Sequence, residues 1–222
     1  MCAMDFEIAH RHLQTSKLMG VDFLPSISVV TDAKGATQQE LLEKLQSEHE
    51  DSCPHCTKVT GYTQTVFGTG NPCASLMFIG EAPGAEEDAC GVPFVGAAGQ
   101  KLDQIILAIG LQREDVYIAN IVKSRPPQNR TPLPTEVEAC GTYLKKQIEI
   151  IQPDVIVALG SPATKYILHT DQGITKLRGT WGSYNGIPVL PTYHPAYLLR
   201  NYTTKIRSEV WADMQQVVSK LP

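Results

Sequence analysis

At 222 residues, 42% of them hydrophobic, the chain is long enough for one α/β core with an appendage, and it lacks the bias of a disordered or fibrous protein. No apolar run approaches ~18 residues, and the N-terminus has no basic flank followed by an apolar core. Neither a transmembrane helix nor a signal peptide is therefore indicated, and a cytoplasmic protein is expected. The net charge of −4 hides an asymmetry, because residues 1–118 carry seven Lys and Arg against 16 Asp and Glu, whereas residues 119–222 carry 12 against seven. The cations of the basic half fall in clusters, Lys123, Arg125 and Arg130, then Lys176 and Arg178, then Arg200, Lys205 and Arg207. A local positive field of this kind suits a phosphate backbone.

Taken in chain order, residues 5–19 read as a short amphipathic helix carrying Phe6, Ile8, His12 and Leu13, and residues 20–36 lack sustained periodicity. The span 1–36 is thus expected to be an N-terminal helix and flexible linker ahead of a catalytic domain over 37–222. Leu41, Leu42 and Leu45 give 38–50 a helical pattern that delivers the chain to Cys53-Pro-His-Cys56. Strand-like apolar runs follow at 75–79, 116–120, 154–159 and 187–191. Helical stretches are predicted at 97–109, 134–151 and 162–169, with a last helix over about 205–219. Strands alternating with helices predict an α/β fold of three layers, a central four-stranded, mostly parallel sheet with helices on both faces.

The segment Gly80–Gly96 concentrates carboxylates, glycines and one aromatic between the first strand and the next helix. It is expected to be an irregular active-site loop, since ligands in α/β sheets bind beyond the carboxyl ends of strands and ordinary crossover loops run to only about two to six residues. The six cysteines, Cys2, Cys53, Cys56, Cys73, Cys90 and Cys140, suggest metal or redox chemistry in a reducing compartment before they suggest disulfides. Cys53-x-x-Cys56 alone reads equally as a zinc half-site, a redox pair or part of an iron–sulfur ligand set. It precedes the first strand, which argues against a redox pair of the thioredoxin type. Cys140 is the best placed further ligand, and spacing leaves the fourth undetermined.

Several motifs in order resemble the family 4 uracil-DNA glycosylases, the iron–sulfur branch of that superfamily, over roughly residues 40–215. They are Gly80-Glu-Ala-Pro-Gly84 with Glu87-Asp88 and Gly91-Val-Pro-Phe-Val-Gly96, Val116-Tyr-Ile-Ala-Asn120, Lys123-Ser-Arg-Pro-Pro-Gln-Asn-Arg130, and Thr192-Tyr-His-Pro-Ala-Tyr-Leu-Leu-Arg200. The resemblance implies the uracil-DNA glycosylase fold and a monofunctional base-excision-repair hydrolase. Such an enzyme flips uracil out of single- or double-stranded DNA, hydrolyses its N-glycosidic bond and leaves an abasic site. It also implies a four-iron, four-sulfur cluster on four cysteines, of which Cys53, Cys56 and Cys140 are present while Ser124 stands at the remaining position. A monomer that binds DNA and no membrane is expected.

Within that resemblance, uracil contacts are expected from Glu81, Ala82, Pro83, Phe94, Asn120 and His194. Phe94 offers a stacking face, and the Asn120 amide offers an acceptor for N3–H and a donor for O4, where cytosine presents the reverse pattern. His194 is expected to donate to uracil O2 as negative charge develops there. Glu81, Glu87 and Asp88 compete for the role of the anion that orients water or stabilises the cationic sugar, with Glu81 favoured and Asp88 next. Leu198 or Leu199 is the expected DNA wedge, with Arg200, Arg125 and Arg130 at phosphates. Residues 121–135 contain no His, which disfavours the covalent outcome of a related branch. The alternatives are a non-catalytic DNA-binding module on the same fold and a metal-dependent nucleotide hydrolase using Glu87-Asp88.

Overall fold

The computed structural model describes residues 36–56, 58 and 61–222, so the helix expected over 5–19 lies outside the described residues. Helix α1 (Gln38–Ser52) starts at a capping box in which the Thr37 hydroxyl accepts from the Glu40 N–H at 3.3 Å and the Glu40 carboxylate accepts from the Thr37 N–H at 2.8 Å. After it the chain alternates strand and helix: β1 (Thr69–Gly70), β2 (Leu76–Gly80), α2 (Ala85–Cys90), α3 (Ala97–Ala108), β3 (Tyr117–Asn120), α4 (Pro134–Ile151), β4 (Val155–Leu159) and α5 (Gly160–Leu168). It ends with α6 (Ile174–Leu177), β5 (Gly182–Tyr184), β6 (Ile187–Thr192), α7 (Pro195–Arg200) and α8 (Thr204–Val218).

The described residues form a six-stranded sheet in the order β1-β3-β2-β4-β6-β5. Its inner four strands are parallel, in register Ile79 with Ala119, Phe78 with Val157, and Val157 with Leu190. The expected four-stranded sheet is therefore the centre of a larger one, extended by antiparallel β1 on β3 and β5 on β6. The second addition is a hairpin closed by Asn185-Gly186, both at positive φ, and an Asn-Gly pair is the turn that fits the twist of a tight hairpin.

Strands buried on both faces should read as continuous apolar runs whose side chains alternate between layers. Met77, Ile79, Ala119, Ile156, Ala158 and Val189 pack to one side with Leu42 and Leu45 of α1 and Leu144 and Ile148 of α4. Leu76, Phe78, Ile118, Val157 and Leu190 pack to the other with Leu102 and Ile106 of α3 and Val210 and Met214 of α8. Among the described residues no helix is long and apolar enough to cross a membrane.

The segment Gly80–Gly96 is not wholly irregular, because α2 lies inside it. Glu86, Glu87 and Asp88 occupy its first turn, where carboxylates complement the helix dipole, and Gly91 ends it at φ 75. The run Pro195–Arg200, expected to carry the DNA wedge, is a separate short helix begun by His194 and Pro195.

A buried ion pair ties α8 to the sheet. Asp213 accepts from the Thr192 hydroxyl at 2.7 Å and from Arg178 Nη2 at 2.5 Å. Breaking a buried pair leaves its partner uncompensated, so Asp213→Ala should cost about 3–5 kcal/mol. Urea unfolding checks this: the midpoint should fall well below that of the parent chain, and an unchanged midpoint would contradict it.

Candidate active site and metal centre

The chain runs from β2 out to β3 on one side and then to β4 on the other, so strand order reverses at the carboxyl end of β2. That is where an open α/β sheet forms its crevice. A cleft of ≈ 380 Å³ opens there, lined by Glu81 and Ala82 after β2, Asn120 at the end of β3 and His194 after β6, with Phe94 and Arg200. The parallel ladder continues one step past the strand ends, with Ile121 N–H donating to the Gly80 carbonyl and Val122 N–H to that of Glu81, both at 3.1 Å. Glu81 is thereby fixed beside Asn120.

Phe94 reaches the cleft on a backbone held at φ 53. Arg113 holds it there: Nη1 donates to the Phe94 carbonyl at 3.0 Å and to Asp103 at 2.7 Å, and Nη2 donates to the Pro93 carbonyl. From behind, Gly99 of α3 comes so close that a Cβ would lie 1.9 Å from the Phe94 carbonyl oxygen. The Phe94 ring stands beside the His194 imidazole, with centroids 5.6 Å apart.

Asn120 is 2% exposed, and its Oδ1 has no hydrogen-bond partner among the described residues. Glu81 Oε1 is likewise buried without a partner among them, and burial raises the Glu81 carboxyl above the usual carboxylate range. Two unpaired polar atoms at the floor of one cleft are what a polar ligand would satisfy. His194 begins α7, and its Nδ1 accepts the Ala196 N–H at 3.1 Å. A neutral ring then carries its proton on Nε2, as a donor. Burial, and after it the positive charge of Arg200, pulls His194 from the ordinary 6.5 down to about 4.

The other two acidic candidates have different employment. Glu87 Oε1 accepts from the N–H groups of Val95 and Gly96, both at 3.0 Å, and Oε2 accepts from that of Gly84 at 3.1 Å, so this carboxylate fastens both ends of the loop. Asp88 is buried and outside the cleft lining; it accepts from Thr63 N–H at 2.7 Å and sits 3.8 Å from Arg125. Arg125 also donates to Asn129 at 2.7 Å, and Arg130, on the cleft rim, is held bidentate by Glu136 at 2.8 and 2.7 Å. That ion pair holds the Glu136 carboxyl down at about 2.

Three expectations require correction on burial. Leu198 is 4% exposed and packs in the core, so it is not available as a wedge, whereas Leu199 is 43% exposed. Lys123 is fully buried and cannot meet phosphate; its ammonium donates to the Asn120 carbonyl at 2.8 Å and to Gln147 at 2.5 Å, and desolvation pulls it to about 8. Arg178 is spent on Asp213.

On the α1–α4 side, Cys53, Cys56 and Cys140 converge as expected, and His49 joins them. One donor atom from each of the four lies within 4.8 Å of all the others. Hydrogen bonds from Cys140 and then Cys56 hold the Cys53 thiol below the ordinary thiol range, while the Cys56 and Cys140 thiols are raised above it. The group could hold a metal ion. Ser124 sits beside it, its hydroxyl accepting from Cys56 Sγ at 3.3 Å and lying 3.2 Å from His55 Nε2. Cys73 and Cys90 are exposed and outside the group. A backbone link joins centre to cleft, since the N–H of Lys123, whose ammonium holds the Asn120 carbonyl, donates to Cys140 Sγ at 3.1 Å. Sequence reasoning passed over His49, Arg113 and the role of Lys123. For His49 a signal existed, the spacing His-x-x-x-Cys-x-x-Cys at a helix end.

The sequence profile of the uracil DNA glycosylase superfamily matches residues 67–215. A type-4 uracil-DNA glycosylase of Thermotoga maritima is 46% identical over 187 residues, covering 82% of this chain and 96% of its own. One of Archaeoglobus fulgidus is 43% identical over 176 residues, covering 75% of this chain and 86% of its own. A type-5 uracil-DNA glycosylase of Pyrobaculum aerophilum reaches 29% over 196 residues, with 73% and 86% covered, which separates the two types. The chain belongs to the uracil DNA glycosylase superfamily, in its type-4 branch.

Proposed function

We propose that this protein is a monofunctional repair enzyme that takes uracil out of the DNA stack and hydrolyses its N-glycosidic bond, leaving an abasic site. The observation that carries the reading is the buried Oδ1 of Asn120, without a hydrogen-bond partner among the described residues and beside the ring of Phe94. Extruding a base costs a few kcal/mol, and the pocket recovers it by stacking and by hydrogen bonds to the base edge. Phe94 supplies the stacking face. Asn120 accepts N3–H and donates to O4, whereas cytosine would set acceptor against acceptor and donor against donor.

Cleavage of the glycosidic bond sends its electron pair to the uracil and leaves the sugar cationic. The His194 Nε2–H meets the charge that grows on uracil O2, and a ring that stays neutral to about 4 does so as a donor without giving up its proton. Glu81 is the anion assigned to the sugar side, where it stabilises the cation or orients the attacking water. Glu87 and Asp88 act as positioning residues that hold the loop. At the rim, Leu199 and Arg200 are assigned to DNA, Leu199 entering the space of the extruded base and Arg200 meeting a flanking phosphate. An ion held by His49, Cys53, Cys56 and Cys140 would be structural, since none of these residues lines the cleft and no step needs it. Residues from 37 onward form one catalytic domain.

An oligonucleotide carrying one uracil, incubated with the protein in EDTA and then cleaved with alkali, tests the reading. Excision without added cation is expected. Binding without excision would favour a DNA-binding module, and a need for added divalent cation would favour a hydrolase. Removing a preorganised donor costs about 10²–10³-fold, so His194→Ala and Asn120→Ala should each lose excision by that order with their melting temperatures retained.

The pH dependence has a defined sign. His194 is held below its ordinary 6.5, so its neutral form is present above that value and is lost only as pH falls through about 4. The imidazole signals of His194 in NMR should titrate near 4. A midpoint near 6.5 would contradict the assignment. If Arg200 meets phosphate, Arg200→Ala should lower the slope of log affinity against log salt by about 1, and an unchanged slope would remove it from the interface.

A further inference from the structure

We infer that the centre built by α1 and α4 holds a single tetrahedral zinc ion on Cys53, Cys56, Cys140 and His49, and that His49, not Ser124, is the fourth ligand. The spacing of the donor atoms carries this. On one zinc ion, bonds of ~2.3 Å to sulfur and ~2.0–2.1 Å to nitrogen put ligand atoms about 3.5–3.8 Å apart along the tetrahedron edges. Cys56 Sγ and Cys140 Sγ are 3.7 Å apart, and Cys140 Sγ and His49 Nε2 are 3.8 Å apart. All four donors lie within 4.8 Å of one another. A four-iron core puts each ligand on a different iron and so spreads them around a cube rather than a point. The grouping here is sized for one ion, and it departs from the cluster that the sequence resemblance implies.

The setting of His49 points the same way. Its side chain is 0% exposed, with its ring edge-on to Tyr143 at 4.8 Å and near Phe67 at 5.7 Å. Its Nδ1 has no hydrogen-bond partner among the described residues, while Nε2 faces the thiols. Coordination through Nε2 accounts for the orientation of a polar ring buried among aromatics, with the ring proton carried on Nδ1. His49 and Cys53 lie one helical turn apart at the end of α1, so a single helix end supplies two ligands, the turn supplies Cys56 and α4 supplies Cys140.

Ser124 has another role. Its hydroxyl lies between Cys56 Sγ at 3.3 Å and His55 Nε2 at 3.2 Å. Once Cys56 is a thiolate, the hydroxyl donates to it and accepts from His55, a support of the kind that orients ligands from outside the coordination sphere. A neutral hydroxyl is a poor exchange for a soft thiolate, whereas imidazole suits zinc well. Four protein ligands with no open position make the ion structural, clamping α1 to α4.

The test is metal content and spectrum of the full chain purified anaerobically, which read out independently of uracil excision. The expected result is one zinc and no iron per chain, without the broad visible absorption of an iron–sulfur cluster. Cobalt(II) exchanged into the site should show the intense visible bands of a tetrahedral sulfur-rich ion. Ser124→Ala should keep one zinc per chain. His49→Ala should lose it, and His49→Cys should regain it, which separates lost coordination from lost folding. Four irons per chain, no uptake of zinc by the metal-free chain, or full zinc in folded His49→Ala would each overturn the inference.

Discussion

Gly80 ends β2 with a hydrogen where any other residue would place a carbon, and the cleft depends on that vacancy. A Cβ there would lie 2.3 Å from Asn120 Oδ1 and 2.6 Å from Phe94 Cζ, closer than real atoms approach. Parallel pairing fixes Gly80 opposite Asn120, so the position of one determines the space left for the other. The bare backbone lets an aromatic face from the loop and an amide from the neighbouring strand meet at one point. Gly99 repeats the device on the far side of Phe94. Interiors are packed too densely for such an approach to survive an added methyl without displacement.

Behind that contact the structure is braced rather than open. Arg113 grips the backbone on both sides of Phe94, Glu87 pins the loop that carries it, and the buried ammonium of Lys123 holds the carbonyl of Asn120. The backbone N–H of the same Lys123 donates to Cys140 Sγ, so the thiol centre and the base-reading amide share one residue. A metal at the centre would therefore order α1 and α4 and, through Lys123, stiffen the end of β3. Preorganisation of this kind is what a site needs if its groups are to meet developing charge without rearranging.

Much of this was legible in the sequence. The four inner strands are short apolar runs bounded by turn residues, and residues at or just past the ends of three of them, Asn120, Glu81 and His194, meet in the cleft because parallel strands end on one side of the sheet. What escaped was decided by tertiary contact. Strands β1 and β5, of two and three residues, are too short for periodicity. Helix α2 looked like loop because its start is set by Glu87 reaching back to Gly84, a contact rather than a pattern. Charge misled at Lys123 and Arg178, which sit among basic neighbours in sequence yet point inward to carbonyl, amide and carboxylate partners. Leu198 and Leu199 are adjacent on a short helix, and only packing distinguishes the buried one from the exposed one.

Under the proposed function, the meeting of Phe94 and Asn120 at Gly80 creates the uracil site. The most direct measurement is uracil excision by Gly80→Ala, with its thermal unfolding followed in parallel. A loss of about 10²-fold or more is expected, the order seen when a positioned group is displaced by an ångström, in a chain that still unfolds cooperatively. Excision at the parent rate by that variant would contradict it.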